Sequence, residues 1–334
     1  MAEEAGQRRK PERILVVSLD NLGDLVFASA LVPPIRERFP SAHIAVWCKE
    51  YTAGLGPLLP AVDSVYHADP FWDRAPGSGK GSFRQFLEVA ASLRRARFDT
   101  AVLCFAPWRT AAAVAAVGIP VRIGLERRRN RRWLTHALAF EDRSKRVLVE
   151  AARLLGPLGI KASELKYRLD SRHSDVELNE VRASLGEGDY VALHAFAGSD
   201  ARCVALNQWV EIAGELSRRG MSVLWIGTTV ELERIRQMGP PGVNWRFSDD
   251  LPGASLTKTA LALSLSKLFI GHDSGPLHIA SAFGVPAIGV FAPGQPQRTC
   301  PQGTGRSRII GRRSPRDISA SDILAEVGAL GVIQ

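Results

Sequence analysis

Residues 271–291, GHDSGPLHIASAFGVPAIGVF, read as a strand end, an abrupt turn, a short apolar helix and a further strand. Pro276 stands just inside the helix start, where its missing N–H does no harm. The first turn of such a helix, residues 275–278, directs free backbone N–H groups and a positive dipole end toward the ligand face of a sheet. Those are the properties of a phosphate site. Ser274 offers a hydroxyl to such an anion and His278 a further donor, while plain N-capping by Asp273 or Ser274 is the competing reading.

Working outward, the same alternation recurs along the chain. RILVVSL is an apolar, β-branched run of strand length, DNLGD a turn, and LVFASAL a helical segment. SAHIAVWC, SVYHA and DTAVLCF are further strands, and FRQFLEVAASLRRARF is an amphipathic helix. After a polar stretch at residues 168–189 the pattern restarts with YVALHAF, QWVEIAGELSRRG, MSVLWIG, LALSLS, KLFIGH and PAIGVF. Strands alternating with helices predict α/β architecture with parallel sheets covered on both faces. Residues 1–12 are assigned to a mobile tail, 13–170 to one Rossmann-like domain and 171–334 to a second. Two doubly wound lobes predict a central ligand cleft at the carboxyl ends of both sheets.

Composition supports that reading. A chain of 334 residues is long for one core and favours two domains of roughly 150 residues. With 46% hydrophobic and 23% charged residues it has the make-up of a soluble globular protein. The longest nearly uncharged run, residues 111–121, falls short of the roughly 20 residues that span a bilayer. The charged N-terminus lacks the apolar region of a secretion signal, so a cytoplasmic location is expected. The four cysteines have no Cys-x-x-Cys spacing, which predicts reduced thiols and no metal framework.

The net charge of +9 predicts an anionic partner. Arg127, Arg128, Arg129, Arg131 and Arg132 form one dense block, followed by Arg143, Lys145 and Arg146. A solvated loop competes there with a site for an anionic acceptor or an anionic membrane leaflet. Nucleic acid is not expected, since repeated aromatic interleaving and zinc-finger or RNP signatures are lacking.

Three more strand ends carry chemistry. After YVALHAF, Gly198, Ser199 and Arg202 offer a hydroxyl and a cation to a diphosphate. After MSVLWIG, Thr228, Thr229 and Glu231 offer ribose contacts, with a surface helix start as the alternative. In the first half, Asp24 sits in a Gly-Asp turn among Leu22, Leu25 and Phe27, surroundings that raise a carboxyl pKa toward that of a base. An N-cap role is its alternative, and Asp20 is a nearby competitor.

Taken together, LDNLGDLV, PSAHIAV, VRIGL, LLGPLGI and above all LFIGHDSGPLHIASAFGVPAIGVFAP resemble the ADP-heptose:lipopolysaccharide heptosyltransferases, glycosyltransferase family 9, over most of the chain. The resemblance implies a GT-B fold, a nucleotide-sugar donor in the C-terminal lobe, an acceptor in the N-terminal lobe and no metal or other cofactor. It implies Asp24 as catalytic base and Asp273, Ser274, Gly275, Pro276, Leu277 and His278 as the donor-diphosphate loop. Arg202 stands where the family usually has a phosphate-contacting Lys, and Leu256 falls in the adenine-side wall. Departures are Val204 and Ala205 for the aromatic and Pro after that Lys, and Ala30 for a Pro, with Pro33 and Pro34 breaking the helix later.

The implied reaction is an inverting transfer of heptose or a related sugar from an ADP-sugar. Its acceptor is a lipopolysaccharide core, with peripheral contact at the inner membrane face, or a soluble small molecule. Competing readings are another nucleotide-sugar reaction such as 2-epimerisation, and a catalytically silent nucleotide-sugar-binding protein.

Overall fold

The computed structural model describes residues 10–73, 80–127, 129–140, 144–238 and 244–333. Two six-stranded sheets organise the chain. The first contains β1 (Arg13–Ser18), β2 (His43–Cys48), β3 (Ser64–His67), β4 (Thr100–Leu103), β5 (Val121–Leu125) and β6 (His136–Leu138). The second contains β7 (Tyr190–His194), β8 (Ser222–Trp225), β9 (Trp245–Phe247), β10 (Leu268–His272), β11 (Ala287–Phe291) and β12 (Ser307–Gly311). Every pairing is parallel, in the orders β3-β2-β1-β4-β5-β6 and β12-β11-β10-β7-β8-β9.

Parallel pairing needs long crossovers, and helices supply most of them. In the first lobe these are α1 (Leu22–Ser29), α2 (Val32–Arg38), α3 (Phe83–Ala96), α4 (Trp108–Val117) and α5 (Val147–Ala152). In the second they are α6 (Asp175–Leu185), α7 (Leu206–Arg218), α8 (Thr229–Arg236), α9 (Leu256–Leu265), α10 (Gly275–Ala282), α11 (Pro296–Thr299) and α12 (Ala320–Leu330). Central strands covered on both faces must be apolar throughout, and β7, β10 and β11 are buried at every position. Pro33 stands just after a helix break, α1 ending at Ser29 and α2 beginning at Val32. It occupies the first turn of α2, where the lost donor would have been unpaired anyway.

Chain order reverses between β1 and β4 in one sheet and between β7 and β10 in the other. At such points the two loops leave in opposite directions and open a crevice beyond the strand ends. Asp20 and Asp24 follow β1, Arg202 follows β7 and Asp273 follows β10, so three of these loops lie at the two crevices.

The lobes meet where α1 packs on α10. A Cβ on Gly275 would come 2.7 Å from Leu22 Cδ2, and one on Gly23 would come 3.1 Å from His278 Cδ2. Only glycine lets two helix starts approach this closely. The segment between the lobes is stitched to both, with the Leu169 N–H donating to Ala282 O at 3.2 Å and the Asp170 N–H to Leu58 O at 2.9 Å.

Candidate active site

The N-terminal wall is built on the end of β1. Tyr51 Oη accepts the Leu22 N–H at 3.1 Å and donates to Asn21 Oδ1 at 3.3 Å, which fixes the first turn of α1. The Asn21 N–H is shared by two carboxylates, Asp20 Oδ1 at 3.1 Å and Asp24 Oδ2 at 3.2 Å. Asp24 is the third residue of α1, not its N-cap, so the capping alternative holds only in that Oδ2 bonds back to the N-cap residue. Its Oδ1 makes no hydrogen bond among the described residues.

Burial, and then the charge of Asp20, push the Asp24 carboxyl up to about 7, against the Asn21 N–H, Arg127 and Lys49. Burial likewise raises Asp20, with Lys49 the strongest opposing influence. Lys49 itself is 2% exposed and lies 2.7 Å from Asp73 Oδ2.

The C-terminal wall is built on the end of β10. Ser274 is the N-cap residue of α10, yet its side chain does not cap. Its Oγ donates to His272 O at 3.1 Å and lies 3.1 Å from His194 Nδ1. With the hydroxyl proton committed to a carbonyl, His194 is the donor of that second bond. Pro276 has no N–H, so Gly275 and Leu277 carry the early backbone donors of the helix. Burial pushes His194 down to about 4 and His272 to about 3, so both imidazoles are neutral at pH 7. The Val204 N–H donates to His272 Nε2 at 3.2 Å.

Arg202 reaches Asp273, with Nη2 2.9 Å from Oδ2, and Thr299 Oγ1 donates to the same oxygen at 3.3 Å. Asp273 is therefore an anchor for Arg202 and not a helix cap. His278 does not project into open cleft. It is 3% exposed, its Nδ1 is 3.1 Å from Tyr167 Oη, its Nε2 is 3.7 Å from Asp273 Oδ1, and its ring centroid is 4.6 Å from that of Phe27. Leu277 is fully buried.

The structure thus brings Arg202, Asp273, Ser274, Gly275 and Pro276 together, across the α1–α10 contact from Asp24. Ser199 is exposed beside them, its carbonyl accepting the Arg202 N–H at 3.0 Å. Thr228 and Glu231 cap α8 reciprocally, with the Thr228 N–H donating to Glu231 Oε2 at 2.8 Å and the Glu231 N–H to Thr228 Oγ1 at 3.3 Å. The pair thus opens α8 directly after β8, the position that both readings of these residues require. Leu256 opens α9 against the other lobe, where a Cβ on Gly54 would come 2.9 Å from Leu256 Cβ.

Between the lobes lies a cavity of about 660 Å³, lined by Pro107, Trp108, Glu126, Arg127 and Phe140 on one side and Gln295 and Arg298 on the other. Buried Asn130 fixes the arginine loop there. Its Nδ2 donates to Ala106 O at 3.1 Å and Leu125 O at 2.9 Å, and its Oδ1 accepts the Arg127 N–H at 2.8 Å. Arg127 faces this cavity, whereas Arg129, Arg131 and Arg132 line a separate groove of about 720 Å³ with Leu134. Arg128 and Arg143 lie outside the described residues.

Sequence reasoning missed Lys49, Tyr51, Asn130, Tyr167 and His194. Lys49 alone had a readable signal, a cation directly after the apolar run HIAVWC. All four cysteines are free. Among the described residues no cluster of three or more His, Cys, Asp or Glu side chains could hold a metal, and no helix is long and apolar enough to cross a membrane.

A sequence model of glycosyltransferase family 9 (heptosyltransferase) matches residues 86–318. The chain is 22% identical over 324 residues to lipopolysaccharide heptosyltransferase 2 of Escherichia coli, covering 89% of this chain and 87% of that one. It is 21% identical over 297 residues to a lipopolysaccharide core heptosyltransferase of Haemophilus influenzae, covering 87% and 82%. The solved structure of E. coli ADP-heptose lipopolysaccharide heptosyltransferase II superposes with a TM-score of 0.78 at 19% identity, covering 95% of this chain and 98% of that one. The two-lobed α/β architecture is that of the GT-B fold.

Proposed function

Since the chain belongs to glycosyltransferase family 9 and is a glycosyltransferase, we propose that it moves a heptose or related sugar from an ADP-sugar to an acceptor hydroxyl, with inversion at the anomeric carbon. The observation that carries this reading is the placement of Asp24. A carboxyl held near pH 7 by burial and by Asp20 stands across a glycine-mediated contact from an uncapped helix start. Such a carboxylate is strong enough to take a hydroxyl proton and is still ionised in half or more of the molecules at pH 7 and above.

In this reading the acceptor hydroxyl approaches Asp24 Oδ1. Its oxygen attacks the anomeric carbon as the proton passes to Asp24, and the bond to the diphosphate breaks. The leaving ADP carries its charge to Arg202 and to the N–H groups of Gly275 and Leu277, donors fixed before the reaction begins, while the Ser274 hydroxyl, held by His272 O and His194, steadies the loop. These groups meet the charge without a metal or other cofactor. Leu256 stands at the adenine side, and closure of the lobes excludes water from the donor.

The relatives named above act on lipopolysaccharide, which favours a lipopolysaccharide core acceptor over a soluble small molecule. Its anionic groups would enter beside Arg127, and a lipid-borne acceptor would bring the protein to the cytoplasmic face of the inner membrane.

The test is ADP release from ADP-heptose in the presence of lipopolysaccharide core oligosaccharide. Asp24→Asn should cut turnover by roughly 10²- to 10⁴-fold while ADP-heptose still raises the melting temperature. Near-normal turnover in that variant would remove Asp24 from the role of base.

A further inference from the structure

Two carboxylates on one N–H are an unusual expenditure of a donor. Asp20 Oδ1 and Asp24 Oδ2 lie 3.1 and 3.2 Å from the Asn21 nitrogen, so the two groups converge at the mouth of α1. Like charges this close do not both ionise readily, and the proton they retain goes to whichever site is less well compensated.

The compensation is lopsided. Strands β1 and β2 pair in register with Ser18 opposite Cys48, so Lys49 leaves β2 beside the residues that lead from β1 to Asp20. Its ammonium is 2% exposed, a costly position for a lysine. The ion pair with Asp73 at 2.7 Å offsets part of that cost, but Asp73 is 47% exposed and would find water without it. Lys49 is the largest attractive charge on Asp20 and ranks behind both the Asn21 N–H and Arg127 on Asp24.

We propose that Asp20 and Lys49 are positioning residues for the transfer: Lys49 keeps Asp20 ionised, and ionised Asp20 leaves the shared proton on Asp24. This rests on Asp24 being the base. It assigns the Asp of LDNLGDLV that did not become the base, and gives the buried lysine a purpose. A base formed this way is stronger than a lone carboxylate in the same turn, because the neighbouring negative charge favours uptake of the acceptor's proton.

The other groups facing Asp24 are fixed in number. Among the described residues of its own lobe these are Arg127, Tyr51 and Cys104, with Asp73 acting on Asp20. Helix α5, which packs on α1, carries Glu150, and α10 of the second lobe presents His278 against Gly23. None of them is removed by the substitutions below.

The experiment is a carboxyl-carbon NMR titration of the full-length protein labelled at aspartate, with the Asp24 resonance assigned by its loss in Asp24→Asn. Wild type should titrate near pH 7. Asp20→Asn removes a negative neighbour and should move the Asp24 midpoint down by about one pH unit. Lys49→Met leaves Asp20 without its main counter-charge, so the Asp20 resonance, assigned by its loss in Asp20→Asn, should take over part of the titration near pH 7 from Asp24, while Lys49→Arg should keep the wild-type pattern. Transfer of the proton from Asp24 to Asp20 is a signature that simple loosening of the turn does not give. An unchanged midpoint in Asp20→Asn, or an Asp24 that keeps its whole titration near pH 7 in Lys49→Met, overturns the proposal. Should Lys49→Met fail to fold, Asp20→Asn and Lys49→Arg decide it alone. The titration needs no turnover, so its failure is distinct from failure of the transferase reading, which the Asp24→Asn assay decides.

Discussion

A carboxyl whose folded-state pKa is about 7, against 3.8 when unperturbed, binds its proton more tightly in the folded chain than in the unfolded one. The stability it contributes is therefore fully present below the unfolded value and is lost as pH rises to and through 7. Asn cannot ionise, so Asp24→Asn should escape that loss. The variant should match wild type near pH 4 and exceed it by about 1–2 kcal/mol at pH 8, after discounting for solvent reaching the carboxyl through the cleft. Urea denaturation at the two pH values measures the difference, and a variant no more stable at pH 8 would mean that Asp24 is not strained by its surroundings. A gain at pH 8 would instead make the residue that performs the chemistry one the fold tolerates at a cost.

Arg202 presents a different problem at the same scale, because its guanidinium already has a carboxylate partner in Asp273. A cation so held is preorganised, and a diphosphate can share its remaining N–H groups. Arg202→Ala should weaken ADP by about 10-fold or more and leave adenosine nearly unaffected, since hydrogen bonds to charged groups contribute about 1.5–3 kcal/mol. Calorimetric titration with both ligands checks it, and equal losses would reduce Arg202 to an anchor for Asp273. Asp24 and Arg202 were both visible in the sequence because each follows an apolar run of strand length. Lys49 escaped because a single lysine after a strand looks like any solvated strand end until its burial is known.

Elements decide which members of a motif face the ligand. The order of strand, turn, helix and strand in residues 271–291 was legible, and so was the helix start at Gly275. What the sequence could not tell was the facing of the first turn, because that depends on α1 arriving from the other lobe. With α1 in place, Leu277 and His278 turn inward, and Gly275 becomes a contact point. For Thr228 and Glu231 the strand end suggested a ribose contact with a helix start as the alternative, and the reciprocal cap that joins them emerged only in the structure. The α1–α10 contact yields its own prediction. Gly275→Ala places a methyl 2.7 Å from Leu22 Cδ2, so one helix must shift. Overpacking of this kind costs about 1–3 kcal/mol. Because the shift separates Asp24 from the diphosphate loop, kcat should fall by more than ADP affinity does. A variant with lowered melting temperature and unchanged kcat would show that the contact is structural only.

For the whole molecule, the uneven distribution of a net charge of +9 is the property left to place. The arginine block divides in the structure. Arg127 turns toward the interlobe cavity and within electrostatic reach of Asp24, whereas Arg129, Arg131 and Arg132 line a groove of their own. Asn130 holds the loop to the ends of β4 and β5, so the groove cations project from a fixed base, although Arg131 is partly compensated by Glu126 at 3.2 Å. Three exposed arginines around an apolar leucine suit a phosphorylated or lipid-borne acceptor, and attract it over a Debye length of about 8 Å at physiological salt. Replacing Arg129, Arg131 and Arg132 by Gln should then raise the KM for an anionic acceptor and flatten its dependence on salt, with donor KM unchanged. The readout is transfer to lipopolysaccharide core oligosaccharide between 50 and 300 mM NaCl, a range chosen at about physiological strength and either side of it. Acceptor kinetics that keep their wild-type salt dependence would assign the groove to solubility, and would move attention to Arg127 and the cavity beside it as the anion-facing surface of the N-terminal wall.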